Sequence, residues 1–225
     1  MSVAPARASP PPDHLYSRAL AAGVAGQGRG ARTRAALLAA ASDLLESRPP
    51  AELTIAAICE GAGVAHGTFY IHFADRQALT DTLLQGFVTF LQQGMRAATR
   101  MASEAEATRA ATSAYVALFE ANAGLMRCLV HHLDAFPGAQ AAFQRLNADW
   151  VATVVRAAER RARRERRAAP ARDELTRRAY ALGGMVDQYL AGLLLSRDPG
   201  VAAVSTDREA VIGTLCLIWE RGMEP

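Results

Sequence analysis

The sequence contains no lysine, so arginine supplies all 25 of its basic residues apart from histidine. Alanine is also abundant, and the two features together indicate a compositional bias of the coding sequence. The number of arginines is therefore weak support for nucleic-acid binding, and the formal net charge of +3 does not select a class of partner.

Cysteine is scarce and long apolar runs are missing. The three cysteines, Cys59, Cys128 and Cys216, form neither a CxxC pair nor the Cys/His spacing of a metal site, which predicts free buried thiols in a reducing compartment. The N-terminus lacks the apolar stretch of a signal peptide, and no apolar run reaches the ~18 residues that a membrane span needs. These absences predict a soluble cytoplasmic protein without a metal or a cofactor.

Strand-like alternation is missing as well, and the periodicity after residue 30 is helical. Because 51% of the residues are apolar, the chain has enough material for a core, and we predict an all-α fold. Residues 1–30 are instead rich in proline, glycine, alanine and serine, which predicts a disordered N-terminal arm. Three arginines lie where this arm meets the first predicted helix: Arg29, Arg32 and Arg34. They are either solvated or form a basic stretch that lies along phosphates.

The segments that follow have the spacing of a helix-turn-helix. The first predicted helix has one apolar face and ends at Pro49, because proline cannot continue a helix. Thr54 is placed to cap a short helix over residues 55–60 and to offer an anion site at that helix N-terminus. A glycine-rich turn precedes a second short helix over residues 65–71, and Asp75 is placed to cap a long helix after it.

The second short helix has the side chains of a DNA-reading element. Ile58 and Phe69 are expected to pack the two short helices together, which leaves small and hydrogen-bonding side chains on the outer face for the major groove. Tyr70, His72 and Arg76 are predicted to donate to phosphates. The full set of candidate DNA contacts is Thr54, Ala65, His66, Gly67, Thr68, Tyr70, His72 and Arg76.

Two stretches resemble the signature of the tetracycline-repressor (TetR) family: LTIAAICEGAGVAHGTFYIHF at residues 53–73 and DRQAL at residues 75–79. The similarity extends over residues 32–87 or so. Ala65 departs from the family pattern, because serine or threonine usually caps the recognition helix at that position. The loss of such a cap costs about 1 kcal/mol of local helix stability.

The resemblance implies a fold of about nine helices with a helix-turn-helix near the N-terminus. Residues 31–78 would form the DNA-binding domain and residues 79–225 the ligand-binding and dimerisation domain. Members of the family are usually homodimers whose last two long helices form a four-helix bundle. Many of them are repressors that leave DNA when a small molecule enters the C-terminal domain. The resemblance therefore implies a repressor that binds a pseudo-palindromic operator as a dimer.

The C-terminal part of the chain is predicted to contain helices over residues 104–121, 123–132, 137–167, 172–196 and 206–222, with a turn at 198–200. Apolar stripes on the last two helices are the dimer interface that the resemblance implies. Its residues are Leu175, Leu182, Val186, Leu190, Leu193, Val211, Leu215, Ile218 and Trp219. A core within one chain is the alternative role for the same stripes.

Aromatic and polar residues on the middle helices are candidates for a pocket that takes an apolar or aromatic effector. They are Tyr115, Phe119, Met126, His131, Phe136, Trp150, Tyr180, Met185, Gln188 and Tyr189. Each of them has an ordinary core position as its alternative. His131 and His132 are adjacent and point to different sides of a helix, which argues against a metal site. The arginine-rich stretch over residues 156–167 is interpreted as a solvated helix face.

Two other functions compete with an effector-controlled repressor. The first is a DNA-binding regulator without a small-molecule effector, controlled by a partner protein or acting as an activator. The second is an enzyme built on a helical bundle. The sequence contains no glycine-rich phosphate loop, no G-x-S-x-G elbow and no carboxylate pair with metal-ligand spacing, which makes the enzyme the weakest of the three hypotheses.

Overall fold

A computed structural model describes residues 14–103 and 106–224, and the regular structure in these residues is helical throughout, as predicted. Eleven α-helices follow one another in the described chain: α1 (Tyr16–Ala22), α2 (Arg29–Ser47), α3 (Ile55–Gly61), α4 (His66–His72), α5 (Arg76–Met101), α6 (Ala107–Ala121), α7 (Ala123–His131), α8 (Pro137–Arg164), α9 (Arg172–Leu190), α10 (Pro199–Ala203) and α11 (Arg208–Gly222). Short 3₁₀ turns occur at Pro50–Glu52 and Leu133–Ala135. A π-helical turn at Ala191–Ser196 continues α9.

Local chemistry sets the ends of the helices around the helix-turn-helix. α2 ends at Ser47, two residues before Pro49. The hydroxyl of Thr54 accepts a hydrogen bond from the amide of Ala57 at 3.2 Å, and the carboxylate of Asp75 accepts one from the amide of Ala78 at 2.8 Å. The two caps that the sequence predicts are therefore confirmed.

The long helix α5 forms the centre of the core, because α2, α6 and α8 all pack against it. Its inner side chains Leu83, Phe87 and Leu91 are fully buried, and Phe119 of α6 is buried beside them. Only three residues separate the end of α4 from the start of this helix. A shift of α5 within the core would therefore move the helix-turn-helix directly.

The prediction of a disordered N-terminal arm is wrong for residues 14–30, because they contain α1. Tyr16 is buried and its ring lies 5.5 Å from that of Phe87 and 5.2 Å from that of Phe90. Asn122, at the start of α7, caps α1: its side-chain oxygen accepts from the amide of Tyr16 at 2.9 Å, and its amide donates to the carbonyl of His14 at 2.7 Å. Partners more than 70 positions away in the sequence order this segment. Residues 1–13 of the predicted arm lie outside the described residues.

The N-terminus of α7 touches the C-terminal end of α2. The amide of Gly124 donates to the carboxylate of Glu46 at 3.0 Å, and the guanidinium of Arg127 donates to the carbonyl of Leu45 at 3.4 Å. A Cβ atom at position 124 would overlap the backbone of Leu45 and Glu46. Only glycine allows this approach, which joins the helix-turn-helix unit to the rest of the fold.

The C-terminal helices begin and end within about three residues of their predicted bounds when the π-helical turn is counted with α9, but one predicted turn is helical. The turn expected at residues 198–200 is the start of α10, where the carboxylate of Asp198 accepts from the amides of Gly200 at 2.8 Å and Val201 at 3.1 Å. Pro199 at the first helical position favours the same helix start. Among the helices of residues 14–103 and 106–224, none combines the length and the apolar character of a membrane span.

Candidate nucleic-acid interface

Helices α3 and α4 pack as a helix-turn-helix through a small buried contact. Ile58 of α3 and Phe69 of α4 are both fully buried. Gly63 in the turn has a φ of +65°, a left-handed conformation that glycine adopts without strain. The amide of Val64 donates to the carbonyl of Cys59 at 3.0 Å and closes the turn. The predicted geometry of this motif is confirmed.

The outer face of α4 is open to solvent. His66, Gly67, Tyr70 and Ile71 lie on that face, with Tyr70 exposed to 53% and Ile71 to 78%. A Cβ atom at Gly67 would meet nothing within 4 Å, so the backbone there is accessible to a bound molecule. Ile71 is a surface residue that the sequence analysis missed. Its position next to Tyr70 on the face opposite Phe69 was the signal that pointed to it.

Two of the predicted contacts lie deeper than the others. Thr68 and His72 are only half-buried rather than exposed, so they lie at the margin of the outer face. Ala65 is exposed at the N-cap of α4 and makes no side-chain cap, as its methyl group dictates. The rings of His66 and Tyr70 are 5.6 Å apart, one helical turn from each other. The exposed face therefore combines an imidazole, a phenol and an isoleucine.

Arg76 has an internal role that the sequence did not indicate. Its guanidinium donates to the carbonyl of Leu53 at 2.9 Å and to that of Ala51 at 3.4 Å. These contacts fix the segment that leads into Thr54, the N-cap of α3. The side chain remains exposed, so the same guanidinium has donors left for a phosphate.

The arginines near the start of α2 are not equivalent. Arg32 donates to the carbonyl of Gln27 at 2.8 Å and stabilises the turn before the helix. The guanidinium of Arg34 lies 4.9 Å above the ring of Phe73, the residue that caps the C-terminus of α4.

The arginine-rich end of α8 lies on the protein surface. Arg161 pairs there with Glu165 at 2.8 Å, in agreement with the predicted solvated helix face.

The family described as "Bacterial regulatory proteins, tetR family" matches residues 37–83, which include α3, α4 and the start of α5. Residues 37–83 therefore form a DNA-binding domain of the TetR family. The chain is a DNA-binding transcriptional regulator, and its helix-turn-helix with an open α4 face has the form of a DNA-reading element.

The regulator is similar to known proteins over most of its length. It is 29% identical over 187 residues to the HTH-type transcriptional regulator EthR of Mycolicibacterium smegmatis, which covers 82% of this chain and 83% of that protein. Over 53 residues it is 42% identical to EthR of Mycobacterium tuberculosis, 24% of each chain. The crystal structure of the transcriptional regulator FadR from Bacillus subtilis in complex with stearoyl-CoA has the same fold, with a TM-score of 0.65 at 13% identity over 83% of this chain and 97% of that one.

A cleft of about 390 Å³ lies beside the π-helical turn of the regulator. It is lined by Met185, Gln188 and Tyr189 of the ten predicted effector contacts, together with Ser196 and Asp198. The hydroxyl of Tyr189 lies 2.6 Å from that of Ser205 and is held in place by it. Three predicted residues therefore share one concave surface, and the other seven lie elsewhere.

The remaining predicted effector contacts have other surroundings. His131 and Tyr180 are exposed and do not line the cleft, so their contact with an effector stays a prediction. Phe119, Met126 and Phe136 are buried in the main core, the alternative that the sequence left open. The ring of Trp150 packs edge-to-face on that of Trp219 at 4.8 Å. Helical periodicity identifies which residues face inward but does not distinguish a packed core from a cavity wall.

Tyr115 and Asp187 form a polar pair between α6 and α9. The phenol donates to the carboxylate at 2.5 Å. Burial raises the pKa of the Asp187 carboxyl to about 6, although the hydrogen bond from Tyr115 acts in the opposite direction. Burial and the neighbouring Asp187 also raise the pKa of Tyr115 well above its ordinary value. The pair is therefore sensitive to pH on the acidic side of neutrality.

We expect Asp187→Asn to stabilise the protein by about 3 kcal/mol at pH 7.5, since a pKa difference of one corresponds to about 1.4 kcal/mol. The pKa of Asp187 is higher in the folded chain than in the unfolded one. The stabilising contribution of this raised pKa to folding is therefore complete below pH 4 or so. It is lost as the pH rises through about 6. An asparagine still accepts from Tyr115 and carries no charge.

Urea unfolding between pH 4 and 8 measures this effect. The wild-type protein should lose stability relative to Asp187→Asn across that interval, whereas Asp149→Asn, an exposed substitution on α8, should follow the wild-type curve. Parallel curves for the wild-type protein and Asp187→Asn would show that the carboxyl does not titrate in this range.

The predicted dimer interface needs correction. Six of its residues have at most 7% of their surface exposed because they pack in the core of their own chain, and a partner has almost no surface to contact there: Leu175, Val186, Leu190, Val211, Leu215 and Trp219. Leu182 and Leu193 are half-buried, and Ile218 is 38% exposed. The exposed side of α9 and α11 carries Tyr180 at 50% and Leu217 at 54% instead.

Proposed function

We propose that this protein is a homodimeric cytoplasmic repressor that binds a pseudo-palindromic operator and is released by a small-molecule effector, without catalytic activity. The exposed face of α4, with His66, Gly67, Tyr70 and Ile71 free of intramolecular cover, is the observation that supports specific DNA binding. Such a helix enters the major groove, and two copies read two half-sites about one helical turn apart.

The contacts divide into positioning and sequence recognition. His66 at the start of α4 is placed to donate to or accept from a base edge, and Ile71 offers an apolar surface to a thymine methyl group. Tyr70, Arg76 and the N-terminus of α3 at Thr54 are assigned to phosphates, which fix the orientation of the protein on the duplex. Residues 61–74 contain no acidic side chain, so no carboxylate within this stretch repels the DNA backbone.

For the dimer we assign the outer face of α9 and α11, which we call the bundle face. It consists of Tyr180, Gly184, Thr214, Leu217 and Ile218. Exposed apolar side chains on two packed helices, with Gly184 permitting a close approach, suit a four-helix bundle between two copies. This face replaces the buried stripe residues as the proposed interface.

The effector is assigned to the cleft beside the π-helical turn. The FadR protein of similar fold holds stearoyl-CoA, which supports a small-molecule effector for this chain. Met185 and Tyr189 provide apolar and aromatic surface in the cleft, and Gln188 and Ser196 provide polar groups. The π-helical turn also packs against α7, whose N-terminus meets α2, so an effector in the cleft has a short route to the DNA-binding helices.

Selection of bound sequences from a random duplex pool, at near-physiological salt with the purified full chain, tests the operator proposal. Enrichment of a palindrome with two half-sites is the expected result. A folded, dimeric protein that enriches no sequence would contradict specific operator recognition. The operator found in this way then supports a screen for compounds that release the protein from it.

We expect substitutions on the α4 surface to separate the two kinds of contact. His66→Ala should alter the preferred base at one position of each half-site by about 1–3 kcal/mol of discrimination. Tyr70→Phe and Arg76→Ala should weaken binding to all sequences about tenfold, and Arg76→Ala should also lower the salt slope by about one.

Binding titrations at several salt concentrations measure these effects, and Arg100→Ala, at the other end of α5, is the matched charge control. An unchanged base preference for His66→Ala would remove His66 from the recognition residues. An unchanged salt slope for Arg76→Ala would confine Arg76 to its contacts with Leu53 and Ala51.

A further inference from the structure

A second cleft, of about 520 Å³, lies between α1, α2 and α5, apart from the cleft beside the π-helical turn. Leu20 and Val24 from the N-terminal segment, Leu38 from α2 and Phe90 from α5 give it apolar walls. Its size is within the range of small-molecule sites in proteins. It exists because α1, which the sequence analysis assigned to a disordered arm, folds over α2 and α5.

The polar groups of this cleft favour a ligand with a negative charge. Among the described residues that line it, Arg34 is the only one with a charged side chain, and no carboxylate accompanies it. The hydroxyl groups of Tyr16 and Thr89 and the amide of Gln93 add neutral hydrogen-bonding groups. A guanidinium beside an apolar wall matches a ligand with an apolar body and one anionic group.

We propose that the cleft between α1, α2 and α5 binds a small amphipathic carboxylate, with the carboxylate on Arg34 and the hydrocarbon against Leu20, Val24 and Phe90. Burial raises the pKa of Tyr16 to about 12, against the opposing effect of Arg34. The phenol is therefore a protonated donor at neutral pH and does not repel an anion. The binding site does not depend on the proposed operator function.

Arg34 connects this site to the DNA-binding surface. Its guanidinium lies 4.9 Å from the ring of Phe73, and Phe73 packs on Phe69 of α4 at 5.8 Å between ring centroids. A carboxylate on Arg34 would compete with the Phe73 ring for the guanidinium. Occupation would also hold α1 against α2 and α5. The ligand would thus act on the position of α4 from outside the effector cleft, a consequence that does rest on the proposed function.

Isothermal titration of the full chain with decanoate tests the site in the absence of DNA, and decan-1-ol and decyltrimethylammonium are probes with the same hydrocarbon chain. Decanoate should bind at least about tenfold more tightly than either probe, because a charged hydrogen bond is lost in both. Arg34→Gln should weaken decanoate binding at least about tenfold. Arg18→Gln, which removes the same charge from the exposed side of α1, should leave it unchanged.

A second variant locates the site and keeps the test valid if Arg34→Gln does not fold, as judged by circular dichroism. Ala19→Glu places a carboxylate at the wall of the cleft. It should abolish decanoate binding and improve the binding of decyltrimethylammonium.

The proposal is overturned if decanoate shows no saturable binding up to millimolar concentration. It is also overturned if decanoate binds the wild-type protein and both variants equally. Because the titration contains no DNA, a failure to find an operator would leave this result unaffected.

Discussion

Leu217→Glu is expected to convert the protein into a monomer and to lower its affinity for the selected operator by about 100-fold or more. Leu217 is 54% exposed on α11, within the bundle face, although it is a large apolar side chain. A glutamate there would bury an unpaired charge between two copies, which costs more than the apolar contact contributes. Each monomer would then bind one half-site without the gain from a linked second one.

Light scattering at micromolar concentration and operator titration measure the two consequences separately. Met101→Glu is the matched control, because Met101 is 91% exposed at the end of α5 and lies outside the bundle face. The control should remain dimeric and bind the operator normally. A dimeric mass for Leu217→Glu would place the interface on another surface of the protein. A monomeric wild-type protein at the same concentration would contradict the dimer itself.

Gly124→Ala is expected to destabilise the protein by about 3 kcal/mol or more, as overpacking against rigid neighbours does. The added methyl group would overlap the carbonyl oxygen of Leu45 and the amide of Glu46. Backbone atoms cannot rotate away, so α7 would have to separate from α2. The hydrogen bond from the Gly124 amide to Glu46 would be lost at the same time.

Urea unfolding gives the change in the free energy of unfolding, and Gly183→Ala is the matched control. A Cβ atom at position 183 would lie 3.5 Å from the ring of Trp150, an ordinary van der Waals contact. That substitution in the interior of α9 should stabilise the protein by about 0.5 kcal/mol, because alanine favours a helix over glycine. Equal stabilities for Gly124→Ala and the wild-type protein would mean that α7 and α2 separate without cost.

The helix ends and the turn of the helix-turn-helix could be predicted because their determinants are local. A hydroxyl at position 54, a carboxylate at position 75 and glycine at position 63 each act on neighbours within a few residues. Proline ends α2 for an equally local reason. The pattern of these residues also carried the family resemblance, and the family match at residues 37–83 confirms it.

Long-range packing decided what the pattern left open. α1 is ordered because Asn122 caps it and because Tyr16 packs against Phe87 and Phe90. None of these partners is near α1 in the sequence. The apolar stripes on α9 and α11 were visible, but periodicity does not state whether a stripe faces its own core or a second copy.

By itself, therefore, the sequence determined the all-α class and the positions of the helix-turn-helix caps, and it predicted that α4 reads DNA. Only the tertiary structure decided that Leu175, Leu190 and Leu215 belong to the core of their own chain while Leu217 stays outside. The same is true of Arg76, whose hydrogen bonds to Leu53 and Ala51 span more than 20 residues. The physical reason is that helix propensity and capping act over one or two turns, whereas burial depends on which distant element covers a surface.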